Sequence, residues 1–273
     1  MSVDRLCAYY GFGRVPFGRD IPPSALFRSS PHQEAVARLT WLIDERGFGI
    51  LTGEVGAGKS VAVRATTATL DPSRHQVIYC PNPTIGGRGL LGLIVSALGG
   101  TPRFYRASLV PQAAEALATA EAERGRRVLV VVEESHLLQA DQLEDLRMLG
   151  NDGTSMDSRS PAAFLLVGQP TLRRRLRQGS YAAVDQRVTL RVHLEGMDLA
   201  ETTAYVKHHL ALAGRSDTLF SDDALVVIHQ ASRGLPREVN NLALQALVAT
   251  FAKDKSIVDE SAARMAVVEV VEQ

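Results

Sequence analysis

The chain has 273 residues, 45% hydrophobic and 22% charged, with Lys+Arg and Asp+Glu balanced at 30 each. This length allows one large domain, or one medium and one small, with ample core; the even charge balance excludes a global basic field, so any nucleic-acid surface must be a local patch. No apolar run approaches the roughly 18 residues of a membrane span, the N-terminus lacks a signal-peptide core, and Cys7 and Cys80 show no metal-ligand spacing, which predicts a cytoplasmic protein with reduced thiols and no membrane partner.

Residues 1–31, rich in Gly, Pro and Arg, read as an extended lead-in. Residues 34–46 place Val36, Leu39, Leu42 and Ile43 at helical spacing, with Ser30-Pro31 as a start signal. Residues 48–52 form a strand-like apolar run. Gly53-Glu54-Val55-Gly56-Ala57-Gly58-Lys59-Ser60 then completes the pattern G-x-x-x-x-G-K-[ST] ahead of a helix from Val61. Gly53, Gly56 and Gly58 let backbone N–H groups turn toward an anion without Cβ clashes. The helix that follows directs its positive dipole end to the same spot. Lys59 is expected on the β- and γ-phosphates and Ser60 on Mg²⁺, so the chain is expected to bind a nucleoside triphosphate.

A second apolar run at residues 76–80 ends at Pro81-Asn82-Pro83, which must break it. Residues 89–98 and 112–123 are predicted helices, and residues 127–132 have the continuous apolar character of a central parallel strand. A helix at 142–149, a buried strand at 163–167, a short basic helix at 170–177 and an alternating strand at 188–194 follow. Strands separated by helices predict a doubly wound parallel α/β sheet. From Asp198 the pattern turns helical, at residues 202–213, 221–229 and 237–251. The expected organisation is an α/β nucleotide-binding domain over residues 1–196, lead-in included, and a small helical lid over residues 197–273.

The predicted strand at 127–132 runs straight into Glu133-Glu134-Ser135-His136. Two carboxylates at a strand tip suit a nucleotidase: Glu133 is assigned to the metal's water shell and Glu134 to the attacking water. The alternative is a pair of solvated glutamates opening a loop. Gln169, just past the strand at 163–167, fits either a γ-phosphate sensor or a cap of the next helix. Arg187 fits an arginine finger reaching a neighbouring subunit, or an ordinary surface arginine. Arg237, in Gly234-Leu235-Pro236-Arg237, opens a helix from which it could report the γ-phosphate.

These elements, in this order, resemble an AAA+ ATPase, specifically the branch holding the general-secretion ATPase ExeA and the transposition regulators TniB, IstB and MuB. The resemblance spans about residues 10–250. It is carried by Phe12-Gly13 with Pro16-Phe17, by residues 51–60, by Tyr79-Cys80-Pro81-Asn82-Pro83, and by Val132-Glu133-Glu134-Ser135-His136-Leu137-Leu138. Val167-Gly168-Gln169-Pro170, Gln186-Arg187-Val188 and Gly234-Leu235-Pro236-Arg237-Glu238-Val239-Asn240 complete it. It implies ATP and Mg²⁺ as cofactors, Gln169 in the sensor-1 region, Arg187 as the finger and Arg237 as sensor 2. Glu133 departs from the family's usual Asp, which implies altered Mg²⁺ geometry and slow turnover.

The resemblance also implies a choice of function. Secretion ATPases of the branch couple this domain to a membrane segment and a cell-wall-binding module, whereas its transposition regulators stand alone. A chain ending at Gln273 with neither module is expected to be a regulator: one that forms ATP-dependent homo-oligomeric rings or filaments on double-stranded DNA, recruits a transposase, and disassembles on hydrolysis. The alternative is a secretion-assembly ATPase of the ExeA type. Expected DNA contacts are Thr84 and Arg88 after the second strand, with Arg103 and Arg106 flanking Phe104-Tyr105, reaching phosphates without reading bases. Arg173-Arg174-Arg175-Leu176-Arg177 reads as a solvated or subunit-facing helix surface.

Overall fold

A computed structural model describes residues 3–18, 21–150 and 160–271; the parts of the expected lead-in at 1–2 and 19–20 and the chain's last two residues lie outside them. In chain order the elements are α1 (Val3–Tyr10), α2 (Ser30–Asp44), β1 (Phe48–Gly53), α3 (Lys59–Thr67), β2 (His75–Cys80), α4 (Gly86–Ala97), α5 (Arg106–Ala122) and β3 (Arg127–Val132). There follow α6 (Ala140–Leu149), β4 (Ala162–Gly168), α7 (Pro170–Leu176), α8 (Ala182–Arg187), β5 (Val188–Leu194), α9 (Leu199–Leu212), α10 (Asp222–Ser232), α11 (Pro236–Ala252) and α12 (Glu260–Val271). The chain divides into two compact units: Met1–Gln33, Gly56–Gly58 and Glu195–Gln273 form the first, Glu34–Val55 and Lys59–Leu194 the second.

The second unit is the parallel α/β layer that the strand–helix alternation predicts. Its sheet runs β2-β3-β4-β1-β5, every pairing parallel. Strands β1 and β4 are buried along their whole length, and β3 from its second residue onward, as continuous apolar runs covered on both faces must be. The edge strands β2 and β5 alternate instead. Leu91, Ile94, Leu109 and Leu117 from α4 and α5 fill the core on Val130 and Phe164. Helix α5 starts at Arg106, ahead of the expected residue 112, and keeps Pro111 inside it. Leu109 is fully buried and its N–H bonds the Tyr105 carbonyl at 3.0 Å, so packing holds the turn that proline would otherwise discourage. Helix α8, which sequence reading passed over, buries Val184 in the same core.

The first unit is helical. Helix α9 opens on a capping box in which the Asp198 carboxylate accepts the Glu201 N–H at 2.7 Å. Helices α9, α10 and α11 match the predicted segments, but α12 joins them, burying Ala262, Ala263 and Ala266 on Leu219 and Phe220. Its face is made of small residues, so no strong apolar stripe announced it. The lead-in, expected with the α/β domain, is here too and is not wholly extended. Leu6 and Tyr10 of α1, with Phe12 and Phe17, lie in the core of this unit, and the Tyr10 hydroxyl donates to the Leu247 carbonyl at 2.9 Å.

Gly234 shows how tightly this unit closes. It has φ +68°, and an added Cβ would stand 1.9 Å from the Met197 carbonyl oxygen, in a turn where the Met197 N–H bonds the Gly234 carbonyl at 3.0 Å. Gly234→Ala is expected to cost about 2–3 kcal/mol and lower the melting temperature by roughly 5–10 °C. A variant that melts with the parent in a calorimetric scan would disprove this steric account.

Candidate functional site at the tip of the central strand

The loop after β1 is closed by its own lysine. Lys59 opens α3, and its ammonium donates to the carbonyls of Gly53 at 2.9 Å and Glu54 at 2.8 Å. The next residue, Ser60, sets its side chain beside the carboxylate of Glu133, where it favours the charged form. Glu133 extends the β2–β3 ladder by donating its N–H to the Cys80 carbonyl at 2.9 Å.

Glu133 and Glu134 are neighbours in sequence with opposite surroundings. Glu133 is 6% exposed. Burial pushes its carboxyl above the usual carboxylate range; the Ser60 side chain opposes this, Glu134 adds to it, and Lys59 and Tyr79 also oppose it. The Tyr79 hydroxyl, on β2, stands 3.4 Å from Glu133 Oε1, long for a hydrogen bond. Glu134 sits in the left-handed region at φ 49°, with a side chain 53% exposed and its Oε2 3.4 Å from His136 Nδ1. A non-glycine residue there costs about 1–2 kcal/mol. The turn thus separates a buried carboxylate beside Ser60 from a solvated one. The pair is therefore not a matched set of solvated glutamates. The exposed hydroxyl of Ser60 and the buried carboxylate of Glu133 present hard oxygen donors that fit Mg²⁺. Among the described residues no group of three His, Cys, Asp or Glu side chains could hold a metal ion by itself, so such a site draws its remaining ligands from phosphate and water.

The other expected site residues are placed as follows. An added Cβ at Gly168 would lie 3.1 Å from the His136 N, so the end of β4 lies against the turn after Glu134. Gln169 then starts α7 as its N-cap residue, but its side chain makes no capping hydrogen bond. Of the two sequence readings, side-chain capping is not what the structure shows. Arg187 ends α8, and its Nη2 donates to the Gly150 carbonyl at 2.5 Å, where Gly150 caps α6. In the first unit, the Arg237 N–H donates to the Gly56 carbonyl at 3.3 Å. Gly56 has φ +84°, and a Cβ there would come within 2.7 Å of Arg237 Cβ. The Arg237 side chain is exposed.

The four expected DNA contacts do not share one environment. Thr84 turns its N–H and hydroxyl to the Asn82 side chain at 3.0 and 2.8 Å. Arg88 donates through Nε to the Phe104 carbonyl at 2.9 Å and lays its guanidinium 4.5 Å from the Phe104 ring centre. Arg103 is exposed beside it. Arg106 instead pairs with Asp145 at 2.8 Å and Asp141 at 3.8 Å. The Asp145 hydrogen bond and charge raise its pKa further. Its charge is already met.

Sequence reading assigned no role to Tyr79. The signal was present: it stands one residue before Cys80 in a strand register that puts Cys80 opposite Val132. Tyr79 also walls a cleft of about 380 Å³ with Ser60, Val61, Val63, Arg64, Thr67 and Val77.

Residues 43–176 match the AAA domain family. The chain is 34% identical over 248 residues to general secretion pathway protein A of Aeromonas hydrophila, a match that covers 90% of this chain and 45% of that protein. It therefore spans about half the length of the curated relative it matches. Among solved structures it is similar to the Aeropyrum pernix ORC2 protein in its ADP form, with a TM-score of 0.66 and 18% identity over 93% of this chain and 71% of that one. It is also similar to the Aeropyrum pernix ORC1 protein in complex with DNA, with a TM-score of 0.62 and 11% identity over 92% of this chain and 68% of that one. At such identities the likeness is one of fold.

Proposed function

Residues 43–176 form an AAA domain, and from that premise we propose that the chain is an ATP-dependent switch: it assembles on double-stranded DNA, recruits a transposase, and releases when ATP is hydrolysed. The observation that carries the ATPase reading is the tip of β3, where Glu133 is buried beside Ser60 while Glu134 stands in solvent in a strained backbone conformation.

The backbone of residues 53–61 cradles the phosphates, and Lys59 exchanges its two carbonyl partners for β- and γ-phosphate oxygens. Ser60 and Glu133 would hold Mg²⁺, which would supply charge neutralisation on the phosphates. Glu134 accepts the proton of a water whose oxygen bonds to the γ-phosphorus as the bond to ADP breaks. Gln169 orients at the γ-phosphate from the end of β4, and Arg237 reports it from the start of α11. Arg187 leaves Gly150 to act on a neighbouring copy in a homo-oligomer. Thr84, Arg88 and Arg103 contact DNA phosphates. A solved structure of similar fold that binds DNA supports this arm; among the described residues no helix is long and apolar enough to cross a membrane.

The test is binding to duplex DNA at low salt with a non-hydrolysable ATP analogue, followed by titration and electron microscopy. Association that requires the analogue and weakens steeply with salt is expected. Absence of DNA binding under those conditions would sink the DNA arm.

A second reading has its own support. The 34% identity to general secretion pathway protein A favours an ATPase acting in secretion assembly. A membrane-associated protein recovered with the chain, in the absence of DNA, would select that reading.

A further inference from the structure

We propose that Phe104 and Tyr105 form a base-stacking wedge, so that the chain holds nucleic acid through unstacked bases as well as through phosphates. This rests on the DNA-binding reading above and deepens it.

Phe104 and Tyr105 are 70% and 74% exposed, more than any other large hydrophobic side chain among the described residues. Their rings meet edge-on, 5.2 Å between centroids. The segment that carries them is pinned on both sides. The Arg103 N–H donates to Gln112 Oε1 and Gln112 Nε2 to the Thr101 carbonyl, each at 2.9 Å. The Tyr105 carbonyl accepts the N–H groups of Ser108 and Leu109 at 3.1 and 3.0 Å, and Arg88 Nε binds the Phe104 carbonyl. The rings are thus held out in water by a braced backbone, and apolar surface presented this way marks an interaction site.

Charge selects the occupant. No acidic residue occurs between Asp71 and Glu115, while Arg74, Arg88, Arg103 and Arg106 do. The carboxylates that reach this region come from α6, as Asp141 and Asp145, and both are turned to Arg106. Among the described residues, Arg88 and Arg103 therefore flank the rings with no carboxylate ion-paired to them. Exposed Arg103, Arg88 laid 4.5 Å from the Phe104 ring centre and two largely exposed rings match the chemistry of an unstacked nucleic-acid strand, where cation and stacking contributions combine. Insertion of such rings at a base step also accompanies duplex distortion.

The experiment compares fluorescent single-stranded, fully paired and centrally mismatched oligonucleotides, each titrated with the whole chain and a non-hydrolysable ATP analogue. Phe104→Ala combined with Tyr105→Ala is expected to weaken single-stranded and mismatched binding about tenfold or more while changing duplex binding less than about twofold. The same variant should abolish quenching of 2-aminopurine placed at the mismatch, and Phe104→Trp should restore it. Arg88→Ala should weaken all three ligands and reduce the salt slope by about one. Melting temperatures matching the parent establish that the variants fold, as their exposure predicts. If the double variant binds all three ligands like the parent, or loses all three equally, the wedge is wrong while the DNA-binding reading stands. If the parent binds none of the three, both fall.

Discussion

Lys59→Ala is expected to reduce affinity for ATP by at least about 100-fold, the largest binding effect of any single change in the phosphate loop. The ammonium bonds the Gly53 and Glu54 carbonyls across the loop. Those are the two residues that lead the backbone from β1 into the cradle. Alanine removes that brace and, in the complex, removes a charged donor from two phosphate oxygens. Hydrogen bonds to charged groups contribute about 1.5–3 kcal/mol each, so two lost together correspond to roughly 10²–10⁴ in affinity. Titration of a fluorescent ATP derivative reads this directly, and a melting scan of the free variant separates it from misfolding. If Lys59→Ala bound ATP like the parent, the triphosphate would not be held by this loop, and nucleotide-gated assembly would have no basis.

Glu134→Gln is expected to have the largest effect on turnover: hydrolysis down by about 10²–10⁴ with ATP affinity changed less than about twofold. The glutamine keeps the size and the strained backbone setting of Glu134 at φ 49° but cannot take a proton from water. Because Glu134 stands in solvent and Glu133 does not, the substitution leaves the Ser60–Glu133 contact in place. A single-turnover phosphate-release assay beside a binding titration measures the two quantities separately. Under the proposed cycle the variant stays on DNA in ATP, since hydrolysis is what releases it. Parent-like turnover would move the proton-accepting role elsewhere.

The phosphate loop, the strand ending in Glu133-Glu134 and the parallel α/β class were all legible in the residues, because each is a local pattern: glycine spacing, a continuous apolar run, strands alternating with helices. What was misread depended on distant partners. The helix expected from residue 112 starts at Arg106 instead, because Leu109 finds a core on the sheet. The lead-in, full of Gly, Pro and Arg, hid Leu6, Tyr10, Phe12 and Phe17, whose partners lie about two hundred residues onward in the helical unit. Helix α12 hid behind an alanine face that acquires meaning only against Leu219 and Phe220.

The same division holds within the site. Residue types and spacing alone determined that this chain carries a loop built for phosphate and two carboxylates beyond a buried strand. Only the folded chain decided how those two differ, by burying one against Ser60 and turning the other out through a left-handed residue. Tertiary structure also decided that Arg106 spends its charge on Asp145 and Asp141, that Arg187 rests on Gly150, and that Gly56 leaves no room for a side chain beside Arg237. Period and propensity follow from neighbours a few residues apart, whereas burial and ion pairing follow from which distant surfaces fit together.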